Sequence, residues 1–173
     1  MRIENALGKD FIYGVINEIT YGNFPWFYQD YMAWNPRLNE GDTEKTDPPN
    51  AILFNHGFIP KKGEIGSDYY GTFVKPILDK AEVKLEHVDR AVLLFTPNFG
   101  KAVKSGWHRD QTYKSKVLIY YFNTNNGYTE FQTGEKIDSV QDRLITFDGV
   151  EDIHRSVSQT DTKMRLVLNV NYE

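Results

Sequence analysis

At 173 residues the chain is the size of one domain and long enough to bury a substantial core. It has no cysteine, which excludes disulfides, thiolate chemistry, zinc ribbons and iron–sulfur clusters. The formal net charge of −4 argues against a general nucleic-acid binder, which needs a basic field.

The first 24 residues carry no apolar h-region with a cleavage site, and no run approaches the length of a membrane span. The expectation is a single-domain, cytoplasmic protein without a membrane partner. Two basic clusters stand out, Lys61–Lys62 and Lys101/Lys104/Arg109/Lys114/Lys116. They form either a solvated face or an electropositive rim for an anionic substrate.

In chain order, "GKDFIYGVINEIT" (8–20) places Phe11, Ile12, Val15, Ile16 and Ile19 on one helical face. "FPWFYQ" (24–29) reads as an aromatic strand. "NPRLNEGDTEKTDPPN" (35–50) reads as a loop, rich in Pro, Gly, Asp and Asn. "SDYYGTFVKPILDKAEV" (67–83) predicts a second helix with Ser67 as N-cap, perturbed by Pro76.

From residue 91 the texture changes to short apolar runs: 91–96, 116–123, 129–134, 143–149, 154–159 and 164–172. Gly, Asn and Asp clusters separate them, the pattern of a β-sandwich or barrel. In "RLVLNVNY", Leu166, Leu168, Val170 and Tyr172 alternate with Arg165, Val167, Asn169 and Asn171, giving one packed and one polar face. The fold class expected is mainly β: a double-sheet jelly roll of the cupin kind (a double-stranded β-helix) over 91–173, buttressed by helices and loops of 1–90.

Without cysteine, a transition-metal site must draw on histidine and carboxylate, and two histidines with one carboxylate suit non-haem Fe(II). His108 and Asp110, in "SGWHRDQTYKSK", are two apart and can point the same way from a strand end. A third ligand has to come from His56, His87 or His154. His87 lies in a charged connector and reads as a surface residue, and His56 before Gly57 reads as a loop or capping residue. His154 opens a strand in the same β-rich half as His108. Eleven residues on, Arg165 sits in an apolar strand, where a guanidinium facing inward needs an anion. Trp107, Tyr121 and Phe147 are either walls of a site or core packing.

Taken in order, "WHRD" (107–110), "IYYFNTNNGYTEF" (119–131), "RLITFDGVEDIH" (143–154) and "RLVLNVNY" (165–172) resemble the Fe(II)/2-oxoglutarate-dependent oxygenases, specifically the prolyl 4-hydroxylase-like group. The resemblance covers roughly residues 91–172. It implies His108, Asp110 and His154 as metal ligands, with catalysis through the metal. It further implies Arg165 as the basic residue that binds the distal carboxylate of 2-oxoglutarate, assisted by Tyr121, with Tyr120 facing the other way. Arg109 should point outward.

The cofactors implied are Fe(II), 2-oxoglutarate as co-substrate and O2, with ascorbate as a candidate reductant. The reaction implied is oxidative decarboxylation of 2-oxoglutarate to succinate and CO2, coupled to hydroxylation of a substrate C–H bond. Peptidyl proline, free amino acids, small metabolites and nucleobases are all open as substrates. Many members carry two glycines where this chain reads Gly127–Tyr128, so Tyr128 is expected to reshape the rim of the site. The segments 35–50 and 55–68 are candidate substrate lids or plain connectors. A jelly-roll binding module without turnover, and a metal-dependent hydrolase or isomerase on a cupin barrel, remain as rival readings.

Overall fold

A computed structural model describes residues 1–32 and 51–173; the expected loop at 35–50, and its reading as a lid, lie outside them. Helix α1 (Lys9–Tyr21) follows the predicted period, burying Ile12 and Val15 and packing Phe11, Ile16 and Ile19 against the core. It ends at Gly22, whose N–H closes onto the Glu18 carbonyl.

The second expected helix is two short ones, α2 (Tyr70–Phe73) and α3 (Lys75–Lys80). Pro76 explains the break: lacking an N–H, it is tolerated only in a first turn, and it stands in the first turn of α3. Ser67 is not the N-cap, which is Tyr69 without a side-chain cap bond. Ser67 Oγ accepts instead from the Tyr69 N–H at 3.2 Å and contacts His56.

Among the described residues, ten strands form two antiparallel sheets. They are β1 (Arg2–Ile3), β2 (Phe27–Gln29), β3 (Leu53–Ile59), β4 (Val88–Pro97), β5 (Lys116–Tyr121), β6 (Tyr128–Phe131), β7 (Lys136–Asp138), β8 (Arg143–Asp148), β9 (His154–Val157) and β10 (Met164–Tyr172). The major sheet runs β1-β8-β5-β10-β4-β3-β2 and the minor sheet β7-β6-β9. This is a mainly β jelly roll with helices against the major sheet. The sheet draws on the first 90 residues too: β3 occupies the start of the 55–68 segment read as a lid or connector, and β1 and β7 carry no strand signal of their own.

Both faces of the major sheet are covered. Leu118, Tyr120, Leu144, Leu166, Leu168 and Val170 meet the helical layer, together with Phe58, Phe73, Ile77 and Leu78. Val117, Ile119, Tyr121, Ile145 and Val167 face the other way, toward the minor sheet. Double burial is why "KVLIYY" reads as a continuous apolar run instead of alternating. It also means that the polar face of β10 does not meet bulk water: Arg165 and Asn171 are only 4% and 1% exposed.

Asp142 ties the N-terminal segment to this frame. Its carboxylate accepts from the Leu7 N–H at 2.9 Å, the Gly8 N–H at 2.7 Å and the Tyr120 hydroxyl at 2.6 Å. Burial, reinforced by Asp142, raises the Tyr120 pKa far above the ordinary phenol range. Hydrogen bonds to a charged group contribute about 1.5–3 kcal/mol each and are not additive. Asp142→Ala is therefore expected to lower unfolding free energy by about 3 kcal/mol, and Tyr120→Phe by about 1.5 kcal/mol. Urea denaturation checks both; a loss below about 1 kcal/mol for Asp142→Ala would show that the clamp is dispensable.

Candidate metal centre

The connection from β4 to β5 folds back onto β9 through a reciprocal backbone pair. The His108 N–H donates to the His154 carbonyl at 2.9 Å, and the His154 N–H to the His108 carbonyl at 3.0 Å. Their rings meet with centroids 4.5 Å apart. Asp110, two residues on, brings Oδ1 to 3.4 Å from His108 Nε2 and 3.6 Å from His154 Nε2. One donor atom from each of the three lies within 4.8 Å of the others. The structure thus brings together the three residues singled out in the sequence.

Second contacts set the ring tautomers. His108 Nδ1 faces the Gly106 carbonyl at 3.1 Å and His154 Nδ1 the Asp152 carbonyl at 3.0 Å. A carbonyl only accepts, so each Nδ1 carries the hydrogen and each Nε2 keeps a lone pair toward Asp110. Burial, helped by the His108 ring, pushes the His154 pKa down to about 4, so the imidazole is neutral and able to ligate near pH 7.

Burial alone would raise the Asp110 pKa. The neighbouring imidazoles, in their protonated forms, and the Asn169 amide outweigh it and hold the group well below the usual carboxylate range. Asn169 Nδ2 donates to Asp110 Oδ2 at 2.9 Å, while its own Oδ1 is buried and accepts from no group among the described residues. Phe147 packs edge-on against His154 at 4.8 Å, and Phe131 edge-on against Phe147 at 5.1 Å. Side-chain exposure rises from 4% at His154 through 9% at Asp110 to 18% at His108, so the group is reached from one side.

Between the sheets, Arg165 donates from Nε to Ser139 Oγ at 2.8 Å, from Nη1 to Ser156 Oγ at 2.9 Å and from Nη2 to Thr129 Oγ1 at 3.4 Å. Tyr121 bonds the same Thr129 hydroxyl at 2.8 Å, and its ring lies 5.5 Å from the guanidinium. Tyr120 faces the helical layer, on the opposite side of the strand. Burial depresses the Arg165 pKa, and Tyr121 only partly offsets it. Among the described residues no carboxylate pairs with Arg165: its hydroxyl partners satisfy hydrogen bonds without neutralising the charge. Gly127 is needed beside it, because a Cβ there would lie 3.0 Å from Arg165 Cδ and 2.8 Å from the Val157 carbonyl.

The donor set fits a divalent metal: two imidazole nitrogens and a carboxylate, each aimed by a further contact. The buried Arg165, with no carboxylate partner among the described residues, fits an anion. His56 and His87 stay apart from it. His56 is not in a loop but on β3, buried, bridging the Pro25 carbonyl at 2.8 Å and Ser67 Oγ at 2.7 Å. His87 is exposed in a short turn of 3-10 helix. Arg109 is exposed, as expected. Tyr128 does not touch the Arg165 pocket: it alternates with Thr129 and sits under Lys136 Nζ, 4.9 Å from its ring. Trp107 stacks under Arg155 at 4.0 Å.

Asn169, Ser139, Ser156 and Thr129 were not foreseen as site residues. Asn169 had a legible signal, since it shares the parity of Arg165 on β10. The hydroxyls carry none until strands are paired.

No protein-family model matches the chain, and no curated protein matches it in sequence. Solved structures do. A prolyl hydroxylase from Trichoplax adhaerens, in complex with a peptide of the hypoxia inducible factor oxygen degradation domain, is 14% identical with a TM-score of 0.64, over 99% of this chain and 82% of that one. An oxidoreductase of the 2OG-Fe(II) oxygenase family from Burkholderia pseudomallei is 10% identical with a TM-score of 0.64, over 100% and 84%. A prolyl-4-hydroxylase from Pseudomonas putida is 12% identical with a TM-score of 0.55, over 100% and 91%. At these identities the likeness is one of fold, and the fold is that of the 2OG-Fe(II) oxygenases, prolyl hydroxylases among them.

Proposed function

We propose that the chain is an Fe(II)- and 2-oxoglutarate-dependent dioxygenase that hydroxylates a substrate C–H bond. His108, Asp110 and His154 would hold the metal, and Arg165, with Tyr121 beside it, would hold the distal carboxylate of 2-oxoglutarate. The single observation that carries this reading is the buried Arg165 guanidinium, with no carboxylate partner among the described residues, in the same inter-sheet space as the triad.

Spacing supports the pairing. Ser156, bonded to Arg165, and His154 lie on one face of β9 two residues apart, roughly 7 Å along a strand. A five-carbon diacid bridges a gap of that size, one end on the guanidinium and the other beside the imidazoles. Fe(II) with 2-oxoglutarate and O2 would supply the oxidation, yielding succinate and CO2.

The protein's own part is placement. Asn169 fixes one carboxylate oxygen of Asp110, and the backbone carbonyls of Gly106 and Asp152 fix the rings. Phe131 and Phe147 wall His154 from water. The prolyl ring is one candidate substrate, suggested by two of the neighbouring structures. Among the described residues no helix is long and apolar enough to cross a membrane.

Mixing Fe(II) and 2-oxoglutarate without oxygen should give a visible charge-transfer band in the parent protein. His154→Ala should abolish it. Arg165→Ala should raise the 2-oxoglutarate Kd by about 30-fold or more, since stranding one half of a buried charged pair costs about 2–5 kcal/mol. Bands of unchanged position and affinity in both variants would refute the assignment. Asn169→Ala, which frees the Asp110 carboxylate, should weaken Mn(II) binding about 10–100-fold, measured by calorimetry.

A further inference from the structure

The cleft that reaches the metal centre carries positive charge that neither metal binding nor 2-oxoglutarate binding uses. It holds about 260 Å³ and is lined by Tyr31, Arg90, Arg109 and Asn169 beside His108 and Asp110. Arg90 stands on β4 opposite Asn171 of β10, on the sheet face that also carries Asn169 and Arg165. Arg109 lies between two of the proposed ligands and is the one member of the 101–116 basic stretch on the cleft wall. Lys104, by contrast, is turned toward Glu130 at 3.5 Å.

Both arginines are exposed, and among the described residues neither makes a hydrogen bond or ion pair. Asp110 is the only acid on the described wall, and it is occupied by His108, His154 and Asn169. Asn169 adds a buried Oδ1 acceptor that has no donor among the described residues. Two guanidinium forks and one unused acceptor in a small concavity make a specific complement. A guanidinium reads a planar oxyanion through paired N–H bonds, and a concave wall concentrates its field.

We propose that this cleft selects a small substrate with a free carboxylate and a hydrogen-bond donor close to it, the chemistry of a free amino acid. The carboxylate would lie on Arg90 and Arg109, and the donor on Asn169 Oδ1. The proposal rests on the oxygenase reading and adds the substrate class to it. Size agrees: the cleft lies below the roughly 300–1,000 Å³ typical of larger ligand sites, enough for one residue. A prolyl residue inside a neutral peptide would offer the forks no anion, whereas free proline would. Phosphate is the other oxyanion such forks accept, and it lacks the adjacent donor.

Calorimetry on the full chain loaded with Mn(II) and 2-oxoglutarate, which cannot turn over, tests this. The probes are the free L-amino acids, their carboxamides, doubly blocked proline dipeptides and nucleoside 5′-monophosphates. At least one free amino acid should bind about tenfold or more tightly than its own amide, the range of one charged hydrogen bond. Arg90→Ala and Arg109→Ala, each with an unchanged Tm, should cut that ratio at least threefold. In the iron form the same amino acid should stimulate succinate release.

Amides binding as well as acids would overturn the proposal, as would no acid binding at millimolar concentration. Tighter binding of blocked peptides or of nucleotides would overturn it too. Weaker binding of 2-oxoglutarate itself in either arginine variant would place the forks on the co-substrate and defeat the proposal in the same way. Absence of the charge-transfer band in the parent protein defeats the oxygenase reading separately. Discrimination between acid and amide would then still establish the carboxylate site.

Discussion

Everything at the centre depends on two backbone hydrogen bonds, the reciprocal pair between His108 and His154. They join a long connection to the edge of the minor sheet, so two residues far apart in sequence acquire the relation of paired strand residues. Once that register is set, side-chain direction follows without further choice. Both rings fall on one side, Asp110 follows His108 by two, and the carbonyls of Gly106 and Asp152 take the Nδ1 hydrogens. A slip of one residue would turn His154 to the outer face and bring Arg155 inward.

The same parity organises the second half of the site. On β9, His154 and Ser156 share a face; on β6, Thr129 and Phe131 share one; on β10, Arg165 and Asn169 share one. The inner faces of three strands therefore alternate between residues on the His154 side and residues on the Arg165 side, in steps of two. Burying a guanidinium there opposes folding unless something offsets it. Three hydroxyls offset the hydrogen-bond part alone, and among the described residues no carboxylate offsets the charge. A guanidinium already held by three hydroxyls would receive the proposed carboxylate at little further ordering cost.

Much of this was legible in the sequence because period-two patterning and motif order survive without tertiary information. β4 to β6, β8 to β10 and α1 were foreseen from residue spacing, and the gathering of His108, Asp110 and His154 agrees with the grouping that the resemblance implied. The failures have physical causes. In β3, "LFNHGFI" carries Asn55, His56 and Gly57 at its middle, residues that signal a turn, and pairing with β4 and β2 overrides them. β1 and β7 are too short to show a period. His56 looked like a loop residue because its neighbours are loop formers, yet a buried imidazole with two partners is a cross-link in the aromatic layer. Ser139 and Ser156 could not be read at all, since a lone serine gains meaning only when another strand sets a guanidinium against it.

Net charge was the weakest guide, and pairing shows why. The chain is acidic overall, and three of the arginines are paired with carboxylates locally: Arg2 and Arg143 share Glu4, and Arg155 meets Glu130. The other three described arginines, Arg90, Arg109 and Arg165, have no carboxylate among the described residues, and they gather between the sheets and at the mouth of the cleft. A sum of charges cannot distinguish these two sets, because a cation in an ion pair contributes little field beyond its partner, while an unpaired one in a concave, partly desolvated wall contributes most of its own.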